Sequence, residues 1–520
     1  MTVDPTNVAE FLLERKDPRR IALRFPKADY SYGELQQKSL QVAQRLMEMG
    51  AKKGDRVILI SDNSLFWVAA YLGTMRAGLV SVPISTSVSS QEFEYIRRTT
   101  DTRIVFVQAE FATRNRDLLR QLSLVTDRVA PDLPEVVSQE AFAALDAVSV
   151  AQVPTKVDRD DLAVIMFTSG STAQPRGVMV SHANIMANTK AIIQYLGLTE
   201  ADSTMAVLPF HYCFGTSLLH THLRTGGSLV VDSRFLYPET ILQRMIDERC
   251  TGFAGVPSHY QILLRGSSLR KKQFPHLRHV QQAGGHLAPS FICQLREALP
   301  GTQVFVMYGQ TEATARLSYL PPEFLDTKLG SIGNGIPGVT LRVVNDSGIE
   351  VLPGEVGEIV AEGESIAMGY WDLPAESATP FRDGKLYTGD LATVDEDGFI
   401  YIVDRAKDFL KCGGRRVSCR EIEEQVLAFE DVLEAAVIGV PDDVLGEAVK
   451  AFVVPRATRG NGLVQRLEGF CKRQMPPHLV PKEIVVLRTL PKNSSGKILR
   501  QNLRSGRFND SYGDGTTAVV

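Results

Sequence analysis

The chain's 520 residues suffice for about three compact units at roughly 150 residues each. Its 44% hydrophobic and 22% charged content is that of an ordinary globular protein. Lys and Arg total 57 against 60 Asp and Glu, a formal charge of −3; this excludes a whole-chain basic footprint for nucleic acid and an acidic, solvating composition.

The N-terminal stretch carries Asp4, Glu10 and Glu14 and holds no apolar run of signal-peptide length. From Gly33 to Met49, Leu35, Leu40, Val42, Leu46 and Met47 form one broad stripe ahead of Gly50, which predicts an amphipathic helix with a glycine stop. The β-rich runs RVILIS (56–61), GLVSVPIS (78–85) and RIVFVQ (103–108) alternate with helical stretches such as the one from Leu65. That alternation predicts βαβ units in a mostly parallel sheet. Phe66 to Ser85 is the most apolar long stretch, yet Gly73, Arg76, Gly78 and Pro83 break it, and it is too short and interrupted to span a bilayer. LAVIMF (162–167) is a further strand running into a polar loop.

From about Gly330 to Asp404 the short runs TLRVV, GEIVAE and FIYIV follow one another without helices, the texture of a compact β subdomain. Beyond Asp404 a basic, polar stretch leads to a helix (421–428), strands (435–440 and 449–454), a helix (463–473) and a strand (483–487), enough for a separate α+β domain. The expected fold is therefore α/β: a large N-terminal domain of α/β layers plus a β subdomain over 1–404, a small mobile α+β domain over 405–505, and a disordered, Gly-rich tail over 506–520. The six cysteines lie scattered with no CxxC pair. They read as reduced thiols of a cytoplasmic protein, not as a disulfide framework or zinc site.

Two patterns fail on inspection. Gly333, Gly335 and Gly338 fit GxGxxG, but no strong strand precedes them and Pro337 obstructs the turn into a helix. Ser494-Ser495-Gly496-Lys497 ends like a P-loop, but Pro491 replaces the earlier glycine and Ile498 the metal-binding hydroxyl. His220 and His222 are two apart and have no further ligands nearby in sequence, so a metal site is not expected there. The stretch from Phe167 to His182 is different. Thr168, Ser169, Ser171 and Thr172 supply hydroxyls, Gly170 and Gly177 permit close backbone approach, and Arg176 adds a fixed charge. Such a loop suits the phosphates of a nucleotide; taken alone, it also reads as a flexible Ser/Thr-rich surface loop.

Seven further motifs follow it in order: LPFHYCFG (208–215), AGG (283–285), YGQTEAT (308–314), GEIVAEGESIAMGYW (357–371), LYTGD (386–390), DRAKDFLKCGGRRVSCREIE (404–423) and LPKNSSGKILR (490–500). Together they resemble the AMP-binding, adenylate-forming superfamily in its acyl-CoA synthetase and acyl–carrier-protein ligase branch. Arg176 departs from the usual Lys while keeping the charge, and Met307 stands where Gly is common. The resemblance implies that residues 168–176 wrap ATP phosphates, that Gly284 and Gly285 border the adenine, and that Tyr308, beside Gly309 and Gln310, stacks on it. By the same resemblance Thr311 holds the α-phosphate, Glu312 binds Mg²⁺, Asp390 accepts the ribose hydroxyls and Arg405 contacts ribose or phosphate. Lys497 is the implied catalytic lysine of adenylation, Lys407 the hinge, and Lys411, Gly413 and Gly414 the loop that enters for thioester formation.

The implied acyl pocket comprises His211, Tyr212, Phe214, Gly215 and Val256. From Ser203 to Val231 Arg224 is the one charged residue. A peptide-synthetase-type pocket needs a carboxylate there for the substrate's ammonium, because an unpaired buried cation is costly. That segment therefore points to an uncharged acyl tail, fatty or aryl. The implied reaction makes acyl-AMP from ATP and a small carboxylic acid, then passes the acyl group to a thiol. The thiol belongs to CoA or to the phosphopantetheine arm of an acyl carrier protein; neither nucleic acid nor a membrane span has a part.

Overall fold

The β-branched runs of the first third pair as parallel strands. The computed structural model describes residues 4–130, 138–150, 156–168, 174–405, 409–412, 415–442, 446–456, 462–493, 496, 498–508 and 518–519. In it Arg56–Ile60 lies parallel to both Val80–Ile84 and Ile104–Val107. Val80–Ile84 is buried throughout, which accounts for its apolar run, broken only by the small Ser81. Among the described residues this first sheet has eight strands, ending in the hairpin Leu162–Thr168 and Arg176–Ser181 with Gly369–Tyr370 at its edge.

A second sheet, of nine strands among the described residues, has a parallel centre of Ser228–Val231, Ser203–Ala206, Gly252–Gly255, His279–Gln282 and Gln303–Tyr308. Ile21–Arg24 joins this sheet beside Ser228–Val231, so the first strand of the chain belongs to the second layer. The β subdomain is an antiparallel sheet in which Lys385–Val394, carrying LYTGD, pairs with both Gly357–Gly363 and Ile400–Arg405. The helix-free expectation for this stretch needs one correction: Pro374–Ser377 forms a single helical turn with Pro at its start, the position where proline's fixed φ and missing N–H cost nothing.

The fourth sheet contains Phe409–Cys412, Arg415–Ser418, Val432–Asp442, Gly446–Pro455 and Glu483–Val486. The molecule is thus α/β, with a large N-terminal domain and a smaller C-terminal one. Part of the tail departs from the expected disorder: Ala518–Val519 pairs antiparallel with Glu483–Val486, satisfying groups that an edge strand otherwise leaves open. Residues 509–517 lie outside the described residues.

The helix Tyr32–Glu48 begins with a reciprocal capping box between Ser31 and Glu34. It buries Leu35, Ser39, Val42, Ala43 and Leu46. Leu40 and Met47, expected on the same stripe, are only half-buried. The seam is shifted because the helix Leu65–Arg76 approaches at Ser39 and Val42. A Cβ on Gly73 would lie 2.5 Å from the Val42 Cβ and 2.8 Å from the Ser39 carbonyl oxygen. That second helix is buried from Phe66 to Arg76, and among the described residues no helix is long and apolar enough to cross a membrane. Gly73→Ala should overpack this seam and lower stability by about 1–3 kcal/mol, read as an earlier urea midpoint by tryptophan fluorescence; an unchanged midpoint would show that the helices part freely.

Candidate active site

Strand Gln303–Tyr308 ends in a reversal that only glycine permits, since a Cβ on Gly309 would stand 1.9 Å from the Ala315 carbonyl oxygen. The reversal continues into the one-turn 3-10 helix Thr311–Ala313. Tyr308 donates its hydroxyl to Asp390 Oδ2 at 2.6 Å, and the backbone of Asp390 pairs with that of Arg405. Asp390 is 4% exposed. Three residues from distant motifs thereby meet on one side of the strand end.

On the other side Glu312 Oε1 accepts the Tyr370 hydroxyl at 2.9 Å. Burial raises the Tyr370 pKa, with Glu312 adding to the effect, so the phenol stays protonated and donates. The Arg176 guanidinium lies 5.3 Å from the Tyr370 ring centroid, and its Nε pairs with Glu376 Oε2 at 2.8 Å. Arg176, expected on phosphate, is therefore held by a carboxylate of the single helical turn. Gln310 brings a buried Nε2 with no hydrogen-bond partner among the described residues, a donor of the kind an oxygen-rich ligand satisfies.

Thr311 Oγ1 donates to Cys213 Sγ at 3.5 Å, which ties the Thr311–Glu312 turn to the acyl segment. Phe214 and Val256 both face Gly284, while Gly285 backs onto Pro257 and Gly215 onto the Pro209 carbonyl. The His211 and Tyr212 rings are 4.5 Å apart; burial pushes the His211 pKa down to about 4, so its ring is neutral at pH 7. His220 shares a 3.1 Å hydrogen bond with the Tyr71 hydroxyl, and His222 Nδ1 donates to the Leu218 carbonyl at 2.9 Å. Both are packing residues. Among the described residues no group of three or more His, Cys, Asp or Glu side chains could hold a metal by itself.

The small domain reaches this wall. Gly496 lies against Val256 and Ser258, and Ser258 Oγ donates to the Gly496 carbonyl at 3.4 Å. Arg420 Nη2 donates to His286 Nδ1 at 2.5 Å, and His286 Nε2 meets Glu424 Oε1 at 2.5 Å. Burial lowers the His286 pKa while Glu424 opposes it; the geometry suits a neutral ring with its proton on Nε2. Arg265 donates to the Leu427 carbonyl at 3.1 Å and to that of Val432.

Ser169, Gly170, Ser171, Thr172, Lys407, Gly413, Gly414 and Lys497 lie outside the described residues, as do the side chains of Arg405 and Lys411. Thr168 and Arg176, at the two ends of the phosphate loop, pair across the hairpin. Sequence reasoning passed over Tyr370, Glu376 and Arg316. Tyr370 lies inside a motif already singled out, and Arg316 is a charge within the apolar run that follows YGQTEAT. Glu376 carries no local signal.

Residues 13–371 match the family model described as AMP-binding enzyme, and residues 421–497 the AMP-binding enzyme C-terminal domain. The chain is 30% identical to oxalate–CoA ligase of Arabidopsis thaliana over 496 residues, covering 94% of this chain and 95% of that one. It is 31% identical to feruloyl-CoA synthase of an Amycolatopsis species over 493 residues, covering 94% and 96%. Among solved structures, an anthranilate CoA ligase in complex with anthranoyl-AMP superposes with a TM-score of 0.87 at 27% identity, covering 96% of this chain and 97% of that one. Matches of this length, running through both domains, make the chain a member of the AMP-binding enzyme family.

Proposed function

We propose that this protein is an AMP-forming acid–CoA ligase. The observation that carries the reading is that the strand end holding Tyr308 against Asp390 runs into Thr311, tied to Cys213, while Gly496 lies against Val256, which with Phe214 faces Gly284. In the first half-reaction a carboxylate oxygen attacks the α-phosphorus of ATP and pyrophosphate leaves, giving acyl-AMP. In the second, the CoA thiolate attacks the acyl carbonyl and AMP leaves. The relatives' names, all CoA ligases or synthases, favour CoA over a carrier-protein arm. They span oxalate, long-chain fatty and feruloyl acids and so leave the acid open.

The protein's part is positioning and charge neutralisation. Asp390, oriented by Tyr308, would accept the ribose hydroxyls, with Arg405 on the same strand pair. Gly284 and Gly285 would border the adenine face opposite Tyr308. Mg²⁺ enters with ATP as substrate; Glu312 offers it one carboxylate, and Mg²⁺ is commonly held by one or two carboxylates together with substrate phosphates. Thr311, one residue away, would hold the α-phosphate, and Arg176 would leave Glu376 for the outer phosphates beside the 168–172 loop. Lys497 follows Gly496 and would bridge the carboxylate and the α-phosphate.

Residues 405–505 then act as the moving domain, with Lys407 as hinge and Lys411, Gly413 and Gly414 brought in for thioester formation. The domain contact includes the polar groups of Arg420, His286, Glu424 and Arg265, which separate at less cost than apolar surface. The cytoplasm, where ATP and CoA are supplied, is the proposed compartment.

Acid-dependent ATP–pyrophosphate exchange, followed by thioester formation on adding CoA, tests the reading; exchange with no acid of any class would end it. Glu312→Gln should cut exchange by about 100-fold or more, since a neutral amide is a poor ligand for a hard cation; normal exchange at ordinary magnesium would remove Glu312 from the site. Asp390→Ala should raise the ATP KM roughly tenfold to 100-fold, the worth of a hydrogen bond to a charged group, with kcat far less affected. Lys497→Ala should lose most adenylation yet still convert supplied acyl-AMP to thioester. Lys407→Pro, with φ restricted, should do the reverse. Equal losses in both half-reactions for both variants would rule out domain alternation.

A further inference from the structure

Arg316 takes no part in the scheme above, yet it stands in the acyl wall. It is 2% exposed, and its Cζ lies 4.0 Å from the centroid of the Phe214 ring. Phe214 in turn shares the Gly284 surface with Val256. A guanidinium keeps its charge in proteins, although burial works against it here. The ring contact offsets part of that penalty.

Arg76, the other buried arginine among the described residues, has the Gln36 amide oxygen at 3.5 Å and no ion-paired carboxylate, whereas less deeply buried arginines find carboxylates. Arg244 meets Asp232 at 3.1 Å and Arg278 meets Asp202 at 2.6 Å. Around Arg316, Nε and Nη2 are buried with no hydrogen-bond partner among the described residues. The groups that face it are the Tyr195 hydroxyl, which shares a hydrogen bond with the guanidinium, and the Cys213 thiol. Burial pushes Tyr195 up to about 12 and raises Cys213 as well, so neither supplies a negative charge at neutral pH. Glu312 is engaged by Tyr370. The acyl segment from Ser203 to Val231 contains no carboxylate, so nothing on it repels an anion.

A buried fork of donors without an anion is costly on its own and is satisfied by a bidentate carboxylate. We propose, in place of the uncharged tail that the acyl segment alone suggests, that Arg316 receives a second carboxylate at the far end of the fatty or aryl acid, so that the preferred substrate is a dicarboxylic acid activated at one end. This specificity rests on the acid–CoA ligase reading. Discrimination follows from the unpaired donors: an acid lacking the distal group leaves them buried and unsatisfied, whereas one extra methylene changes little.

The test is ATP–pyrophosphate exchange by the full chain with matched pairs, a straight-chain monoacid against the α,ω-diacid of equal length and a benzoate against its carboxy derivative. The wild type should favour the diacid by about 100-fold or more in kcat/KM for at least one pair. Arg316→Met should erase that preference by lowering the diacid value while sparing or raising the monoacid value. Arg316→Lys should retain part of it, as a charge without the fork. Thermal stabilisation by ATP reports that each variant is folded; if Arg316→Met fails to fold, the wild-type ratios and Arg316→Lys decide. Monoacids preferred in every pair, or a diacid preference that survives Arg316→Met, would overturn the assignment and leave Arg316 a packing residue. Absence of exchange with both classes would instead overturn the ligase reading, and this assignment with it.

Discussion

The 2.9 Å hydrogen bond from Tyr370 to Glu312 joins two sheets that share no strand. Glu312 belongs to the loop after Gln303–Tyr308 in the nine-stranded sheet, whereas Tyr370 pairs with Val178 at the edge of the eight-stranded one. The backbone repeats the link, Ala367 donating to the Glu312 carbonyl at 2.9 Å, and Asn184 donates to the carbonyls of Glu364 and Ile366. These bonds set the hairpin that carries the phosphate loop against the loop that carries Glu312. The crevice between them lies at the carboxyl ends of parallel strands, where loops from several crossovers converge and α/β sheets bind ligands. Thr311 then extends the same frame to Cys213, and through it to the acyl wall.

Charge is handled differently at the two ends of that crevice. On one side Arg176 is already compensated by Glu376 and by the face of Tyr370. At the acyl end the histidines are neutral: burial lowers His211 to about 4 and depresses His259 as well. The charge that stands uncompensated there, among the described residues, belongs to Arg316. The two sides thus differ: Arg176 is ion-paired, whereas Arg316 has Nε and Nη2 without a hydrogen-bond partner among the described residues.

Much of this was legible in the chain. The runs RVILIS, GLVSVPIS and LAVIMF appear as strands, because a strand buried on both faces must be apolar along its length. The helix beginning at Tyr32 and its glycine stop were equally readable, although the buried seam was not: Leu40 and Met47 gave way to Ser39 and Ala43. Amphipathic spacing reports which side is apolar, whereas the partner helix chooses the line of closest approach, here through Gly73. Short turns such as Pro374–Ser377 escaped notice because four residues carry no period.

The sequence by itself determined the family, the order of the motifs and the kinds of side chain brought to the site, because hydroxyl-rich loops, glycine reversals and hydrophobic periods are local chemistry. Tertiary structure alone decided the partners. Tyr308 with Asp390, Glu312 with Tyr370, His286 with Glu424 and Arg316 with Phe214 are joined only once separate sheets and domains pack. A charge such as Arg316 reads as solvated surface until folding removes the water around it. Whether it is paired, and with what, depends on groups brought beside it from elsewhere in the chain.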